Sequence, residues 1–311
     1  MVDFSLILTI AVLLDIIFGE PSNRYHPVAW LGKLITVEVG LAPKQGKWRQ
    51  LIYGGAMVVA TVALSGVLCY FLLVQFTSLS RLAYILVASL MLKFSFSWRG
   101  LIRATEEVRK LLIGEDITQA RQKLQSLVSR DTTNLDKESI ISATVESAAE
   151  NMCDSFTAPL FYFLLFGVPG AVAYRVVNTF DAMIGYHGRW EYLGKIAARM
   201  DDVANYIPAR LTGLTIVLAA YLCRSSAAEA WHIMLRDHSK TESPNSGWTM
   251  SAVAGALQVQ LEKQQSYRLG DSRRQLTPDA IVVSQKIAAV TAAIWVLLII
   301  VVKGAWVATA A

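Results

Sequence analysis

The chain has 311 residues, 54% of them hydrophobic and only 17% charged, with a mean hydropathy of +0.42. Soluble domains carry about a quarter charged residues, so a deficit gathered into long apolar runs implies that part of the solvent is lipid. The net charge of +5 fits Lys and Arg kept in cytoplasmic loops, and the absence of a dense basic stripe interleaved with aromatics excludes nucleic acid as a partner.

In chain order, Val2–Phe18 has no basic leader and no small-residue cleavage site, which predicts an uncleaved first membrane helix rather than a signal peptide. It carries Asp15, an ionisable group that membranes tolerate where it faces protein or water. Leu51–Val74, Leu82–Trp98 and Ile281–Val302 are three further candidates for the roughly 20 helical residues that cross a bilayer core. Residues 99–130 predict an amphipathic helical hairpin. Leu101, Ile102, Val108, Leu111, Leu112, Leu124 and Leu127 recur near helical spacing, with a break at Gly114-Glu115-Asp116.

Two segments are ambiguous. Phe156–Val177 is interrupted by Gly167-Val168-Pro169-Gly170, and Leu211–Cys223 is short. Both read as re-entrant or interfacial, which is tolerated where a segment lines a cavity; the alternative is that both span and leave loop 178–210 outside. No strand alternation is evident. The expectation is therefore an all-α polytopic integral membrane protein with about four to six membrane segments. It is read as a single membrane-embedded domain over 1–311, with a helical loop at 99–155 and a second large loop at 224–280. The basic residues of loops 19–50 and 99–155 place those loops in the cytoplasm and the N-terminus outside a bacterial inner membrane. Cys69, Cys153 and Cys223 form no C-x-x-C pair, which argues against a disulfide framework or a zinc knuckle.

The polar chemistry concentrates between Arg130 and Arg210. Asp136 is placed to cap a helix on which Glu146, Glu150 and Asp154 stand at i, i+4 and i+8, with Asn151 beside them. Residues 138–155 contain no Lys or Arg, so no local ion pair relieves the three carboxylates. A hard cation such as Mg²⁺ would, because it takes carboxylate oxygens and keeps substrate phosphates as further ligands. The bland alternative is a solvated acidic face. A second set holds Asn178 and Asp181, then Asp201, Asp202 and Asn205 ahead of Pro208-Ala209-Arg210. Capping and a turn, with Pro208 ending the helix, account for these one at a time. The density of Asp and Asn with Arg199 and Arg210 better suits a metal-bound phosphate.

Arg130-Asp131-Thr132-Thr133 offers either a fork donor with hydroxyls for an anion or a turn held by a local Asp–backbone bond. His26 precedes Pro27 in a loop, where a lone His is more often structural; His187, His232 and His238 have weaker claims. Neither G-x-x-x-x-G-K-[ST] nor G-x-G-x-x-G occurs, so any nucleotide is held by neither a Walker loop nor a Rossmann turn. G-x-S-x-G and H-E-x-x-H are missing as well.

Along most of its length the sequence resembles the cobinamide-phosphate synthase family (CobD/CbiB). LLDIIFGEPSNRYHPVAWLGKLI looks like its opening signature, through Asp15, Gly19, Glu20, Pro21, His26, Pro27, Val28 and Gly32. The block from Arg130-Asp131-Thr132 to Pro208-Ala209-Arg210-Leu211-Thr212 resembles the central signature, including VESAAEN, APLFY, NTFDAMIGY and DDVANYIPARLT. SPNSGWTMSAVAGALQVQL, followed by Tyr267 and Gly270, resembles a third block. One departure stands out. Where relatives carry a His shortly before Ser-Pro-Asn, this chain has Thr241-Glu242, so that role is vacant or moved to His238.

The resemblance implies an ATP-dependent amide ligase of cobalamin biosynthesis. It would join the free carboxylate of adenosylcobyric acid to aminopropanol or its O-phosphate, giving adenosylcobinamide or its phosphate. The implied cofactors are Mg²⁺ and ATP. The implied partners are the corrinoid, the amine, the lipid bilayer and other membrane enzymes of the late cobalamin pathway. On that reading Glu146, Glu150, Asp201 and Asp202 are metal candidates, and Asp131, Asp154 and Asp181 acid/base candidates. His26, Arg130, Asn151, Asn178, Arg199, Arg210 and Asn245 would contact substrate. Two alternatives compete. Acidic pairs on membrane helices also suit an intramembrane Mg²⁺-dependent prenyltransferase, and a distant relative of the family is a membrane sensor in β-lactamase regulation.

Overall fold

The computed structural model describes residues 2–186 and 188–310, with side chains described for 3–186 and 188–305; His187 lies outside the described residues. The chain is organised as two compact units.

The first unit comprises residues 1–97, 158–204 and 299–311. Its helices are α1 (Val2–Phe18), α2 (Pro27–Gly40), α3 (Lys47–Leu79), α4 (Arg81–Lys93), α8 (Ala158–Ile184) and the first part of α9 (Lys195–Leu222). Helix α1 has the bounds that its apolar run predicts. Pro27 opens α2 at a position where its missing N–H costs nothing, and the Ser80 hydroxyl caps α4 through the Ala83 N–H at 3.1 Å. Helix α1 packs on α4, α3 on α4 and α8, and α2 on α8. Ile35, Met57, Val58, Val176, Phe180, Ile184 and Ala197 form one buried cluster. On α3, Leu64, Val67, Leu68 and Phe71 are exposed, the pattern of a helix whose outer face meets lipid.

The predicted interruption at 167–170 is present. Gly167 has φ +68 within Ala158–Ile184, so α8 is two helical pieces joined there, a backbone conformation that favours glycine. Pro208 behaves differently from expectation. It lies inside the 28-residue α9 and does not end it. The carbonyl four residues earlier, Ala204 O, loses its helical N–H partner to the proline and instead accepts from the Tyr162 hydroxyl at 3.0 Å. Such re-satisfaction is what lets proline persist in membrane helices. The apolar Leu211–Leu222 is therefore not a separate short element.

The second unit comprises Trp98–Thr157 and Asn205–Leu298. Helices α5 (Trp98–Ile113) and α6 (Ile117–Gln125) form the expected hairpin, turning where Asp116 accepts from the Gln119 N–H at 2.9 Å. Both pack on α7 (Lys137–Met152), which is capped by Asp136 as predicted. The run Ile140–Ala149 is buried without a break, so α7 is a core helix. Helices α10 (Ala227–Asp237) and α11 (Ser246–Leu257) pack tightly together. A Cβ at Gly255 would lie 2.4 Å from the Glu229 carbonyl oxygen, so only glycine permits that approach.

Strands β1 (Leu261–Lys263) and β2 (Tyr267–Leu269) form an antiparallel hairpin with Leu261 opposite Leu269. No local pattern announces it, because three residues are too few to show alternation. Helix α12 (Pro278–Ala310) closes the chain. Val108, Leu112, Ile140, Met250, Leu261 and Ile287 belong to the buried core of this unit.

Among the described residues, five helical segments are long and apolar enough to cross a membrane: Lys47–Leu79, Arg81–Ile113, Lys137–Ile184, Lys195–Leu222 and Pro278–Ala305. The protein is an all-helical polytopic membrane protein with one small hairpin.

Candidate functional site

In the second unit, the burial of α7 decides the fate of Glu146. A carboxylate 2% exposed is costly unless paired and hydrogen-bonded. Its partners come from outside the 138–155 window. Glu146 Oε2 accepts from Arg130 at 2.6 Å and from the Tyr267 hydroxyl at 2.8 Å, while Oε1 accepts from Ser142 Oγ at 2.6 Å. Ser142 Oγ in turn accepts from the Glu262 N–H at 2.8 Å. Both oxygens of Glu146 are thus engaged, and the expectation that it lacks a countercharge is corrected. Burial, then the charge and hydrogen bond of Glu146, push the Tyr267 hydroxyl well above its ordinary range.

The other residues of this block fall into place around α7. The helix passes into a π-turn at Cys153–Thr157. This breaks the uniform register on which the i, i+4, i+8 face of Glu146, Glu150 and Asp154 depends, and such turns are frequent at functional sites. Asn151 donates to Ser147 O at 3.0 Å and accepts from Ser155 Oγ at 3.2 Å. The Asp131 carboxylate accepts from the Thr133 N–H at 2.9 Å and hydroxyl at 2.8 Å. This is the local turn, and these two bonds hold Asp131 below the usual carboxylate range. Thr132 is buried and donates to Arg121 O at 2.9 Å.

Arg210 lies 3.4 Å over the Tyr206 ring and 4.9 Å from that of Trp248. It donates to Tyr206 O at 2.6 Å and to Asn245 Oδ1 at 3.4 Å. Cys153 Sγ approaches Asn205 Oδ1 at 3.8 Å. His238, the substitute proposed for the vacant His position, sets Nδ1 3.1 Å from Met234 O, and its ring lies tilted against Trp248 with centroids 4.1 Å apart.

In the first unit, Asn178 donates to Asp201 Oδ1 at 3.3 Å and accepts from Arg175 at 3.3 Å. Arg199 reaches Asp202 at 3.4 Å from an exposed position. Asp181 packs against Gly185, where a Cβ would lie 2.0 Å from its Oδ1. His26 caps α2. Its Nδ1 accepts from the Val28 N–H at 3.1 Å, so the ring proton sits on Nε2, 2.6 Å from Glu20 Oε2. Lys93 Nζ stands 2.9 Å from Glu20 and 3.4 Å from Asp15. Burial alone would raise the Glu20 carboxyl. Hydrogen bonds from His26 and Lys93, the Lys93 charge and a bond from Ser97 outweigh it and hold the group at about 2.

Sequence reasoning missed Lys93, although a signal was there. It is the only charge in Leu82–Trp98, as Asp15 is an acid in an otherwise apolar stretch, and intramembrane ions of opposite sign seek each other. Ser142 and Glu262 gave no comparable sign.

Four carboxylates were expected to hold a metal. Glu146 and Glu150 fall in the second unit, Asp201 and Asp202 in the first. Among the described residues no three His, Cys, Asp or Glu side chains group to hold a metal ion. Mg²⁺ is commonly bound through one or two carboxylates plus substrate phosphates and needs no protein cage.

The chain matches the family described as CobD/Cbib protein over residues 8–297. It belongs to the CobD/CbiB family. It is 50% identical to the cobalamin biosynthesis protein CobD of Dehalococcoides mccartyi over 94% of this chain and 95% of that one. It is 42% identical to the probable cobalamin biosynthesis protein CobD of Methanothermobacter thermautotrophicus, over 92% and 93% respectively. No solved structure matches. The family match spans all three blocks that carry the resemblance, and with them the Glu20–His26 and Arg130–Glu146–Tyr267 networks.

Proposed function

We infer that the chain acts in cobalamin biosynthesis, converting adenosylcobyric acid to adenosylcobinamide or its phosphate. The observation that carries the reading is the family match over residues 8–297 together with the intact polar motifs it spans. The reaction condenses a corrin carboxylate with the amine of aminopropanol or its O-phosphate, forming one amide bond and releasing the elements of water. Water loss from two charged groups is uphill, so an ATP-dependent ligase is the chemistry we propose. Mg²⁺ would supply charge neutralisation for phosphates. Asp201 and Asp202 are its candidates in the first unit and Glu150 in the second, ahead of Glu146, whose oxygens are taken by Arg130, Tyr267 and Ser142.

The chain's own groups divide by what they touch. Asp154 and Asp181 are the acid/base candidates we retain, since Asp131 is held low by its turn and is a poor base near neutrality. Arg199 and Arg210 would take anionic substrate groups, with Asn151, Asn178 and Asn245 as neutral donors or acceptors. Arg130 and His26 spend their bonds on Glu146 and Glu20, and their proposed role is to hold those carboxylates in place. A bacterial inner membrane with the 99–155 and 224–280 loops in the cytoplasm is the location proposed from the basic loops.

A cobalamin auxotroph lacking its own family member and fed adenosylcobyric acid should grow when it expresses this chain. Failure to grow, with the protein present in the membrane, would count against the reading. Ala at Glu150 or Asp202 leaving activity and Mg²⁺ dependence intact would remove those residues from the metal assignment.

A further inference from the structure

The second unit contains a cavity of about 570 Å³ that none of the candidate site residues lines. That size is in the range of small-molecule sites. Its basic wall is built from three separate stretches of chain: Arg224 after α9, Arg274 in the loop after β2, and Lys286 on α12. Asp279 is the one carboxylate among its lining residues, and Ser225, Ser226 and Thr277 add hydroxyls. Ser226 stands at the N-cap of α10 but makes no side-chain capping bond, so its hydroxyl is not committed to the helix.

The neighbouring cations behave differently. Arg236 is paired with Asp237 and Asp271, Arg268 with Glu262 at 3.0 Å and Arg273 with Glu229 at 2.7 Å. Among the described residues, Arg224, Arg274 and Lys286 form no such ion pair. Arg224, at φ +56, is the left-handed cap at the end of α9, closed by the Ser225 N–H donating to Ala220 O at 2.8 Å. Three unpaired cations around one hollow are the arrangement of a site that awaits an anion. The cavity lies where α9 ends at Leu222 and α12 begins at Pro278, both of them candidate spans.

We propose that this cavity binds a phosphoryl group, gripped by Arg224, Arg274 and Lys286. Guanidinium and ammonium donors with hydroxyls beside them are the chemistry that recognises phosphate oxygens. The phosphate is carried either by a soluble reactant or by a lipid headgroup at the membrane edge. This inference stands apart from the amide-forming reading, because binding is measured without corrinoid.

The test uses the full chain purified in neutral, phosphate-free detergent. Inorganic pyrophosphate is titrated by calorimetry, and in parallel the chain is placed in phosphatidylcholine discs with or without phosphatidylglycerol. Pyrophosphate should bind, more weakly at high salt, and Arg274→Gln and Lys286→Gln should each weaken it about tenfold. Arg224→Gly accepts the left-handed backbone without strain, so this variant should fold at least as well and still lose about tenfold. If pyrophosphate has no effect but phosphatidylglycerol raises the unfolding temperature, and the same substitutions abolish that rise, the phosphoryl group is the lipid's. No binding of either probe, or binding indifferent to all three substitutions, overturns the proposal and leaves these cations as topology charges.

Discussion

The two units each bury a charge cluster, and the clusters are built on opposite principles. In the first, one compact ammonium, Lys93, serves two carboxylates, Asp15 and Glu20, with His26 as a neutral donor. In the second, one carboxylate, Glu146, serves three donors: Arg130, Tyr267 and Ser142. The first joins α1, the α1–α2 loop and α4 through a single cation, with His26 and Ser97 as further donors to Glu20. The second ties the 130–133 turn and the β-hairpin to α7 through several bonds, so losing one donor leaves others. Desolvated charge is expensive whenever its partner is removed, and the number of partners sets how expensive.

The largest effect should therefore be Lys93→Met, which removes the one cation that Asp15 and Glu20 share. It should cost about 3–5 kcal/mol, read as a collapse of the unfolding temperature in detergent and recovered in part by adding Asp15→Asn. Full stability in Lys93→Met would erase the contrast. Glu146→Gln should cost less, about 2–3 kcal/mol. A double-mutant cycle with Arg130→Gln should show a coupling of about 1–3 kcal/mol. Tyr267→Phe removes one hydrogen bond and should cost about 1 kcal/mol, leaving the hairpin paired.

Acid acts on buried carboxylates in both units. Burial alone would raise Asp237, but Arg236, Lys240 and the Gly270 N–H outweigh it and hold the carboxyl at about 2, against an ordinary 3.8. Glu20 is likewise held at about 2, against 4.5. Both depressed carboxyls bind fewer protons folded than unfolded, so their stabilisation is complete above about pH 5 and is lost as pH falls toward 2. Asp237→Asn should flatten that acid limb. An acid limb unchanged in both Asp237→Asn and Glu20→Gln would contradict the depressed values.

Much of this architecture is legible in the sequence, because apolar runs and start signals are local. Helix α1, the hairpin of α5 and α6, the Asp136 cap and the Gly167 break all follow from spacing and residue type. What escapes is non-local. Pro208 reads as a helix end because its compensating donor, Tyr162, lies 46 positions upstream. Glu146 reads as unpaired because Arg130 precedes the helix and Tyr267 is more than a hundred residues downstream. The hairpin of β1 and β2 is too short to print a period. Asp131 was readable as a turn or as an anion ligand, and its bonds to Thr133 make the turn.

The central claim is the reaction. The purified chain, in detergent or liposomes, is incubated with adenosylcobyric acid, aminopropanol or its phosphate, and Mg²⁺-ATP, and the corrinoids are followed by mass. A corrinoid heavier by the amine less water should form, and only when every component is present. No such product, beside an active family member in the same assay, would contradict it.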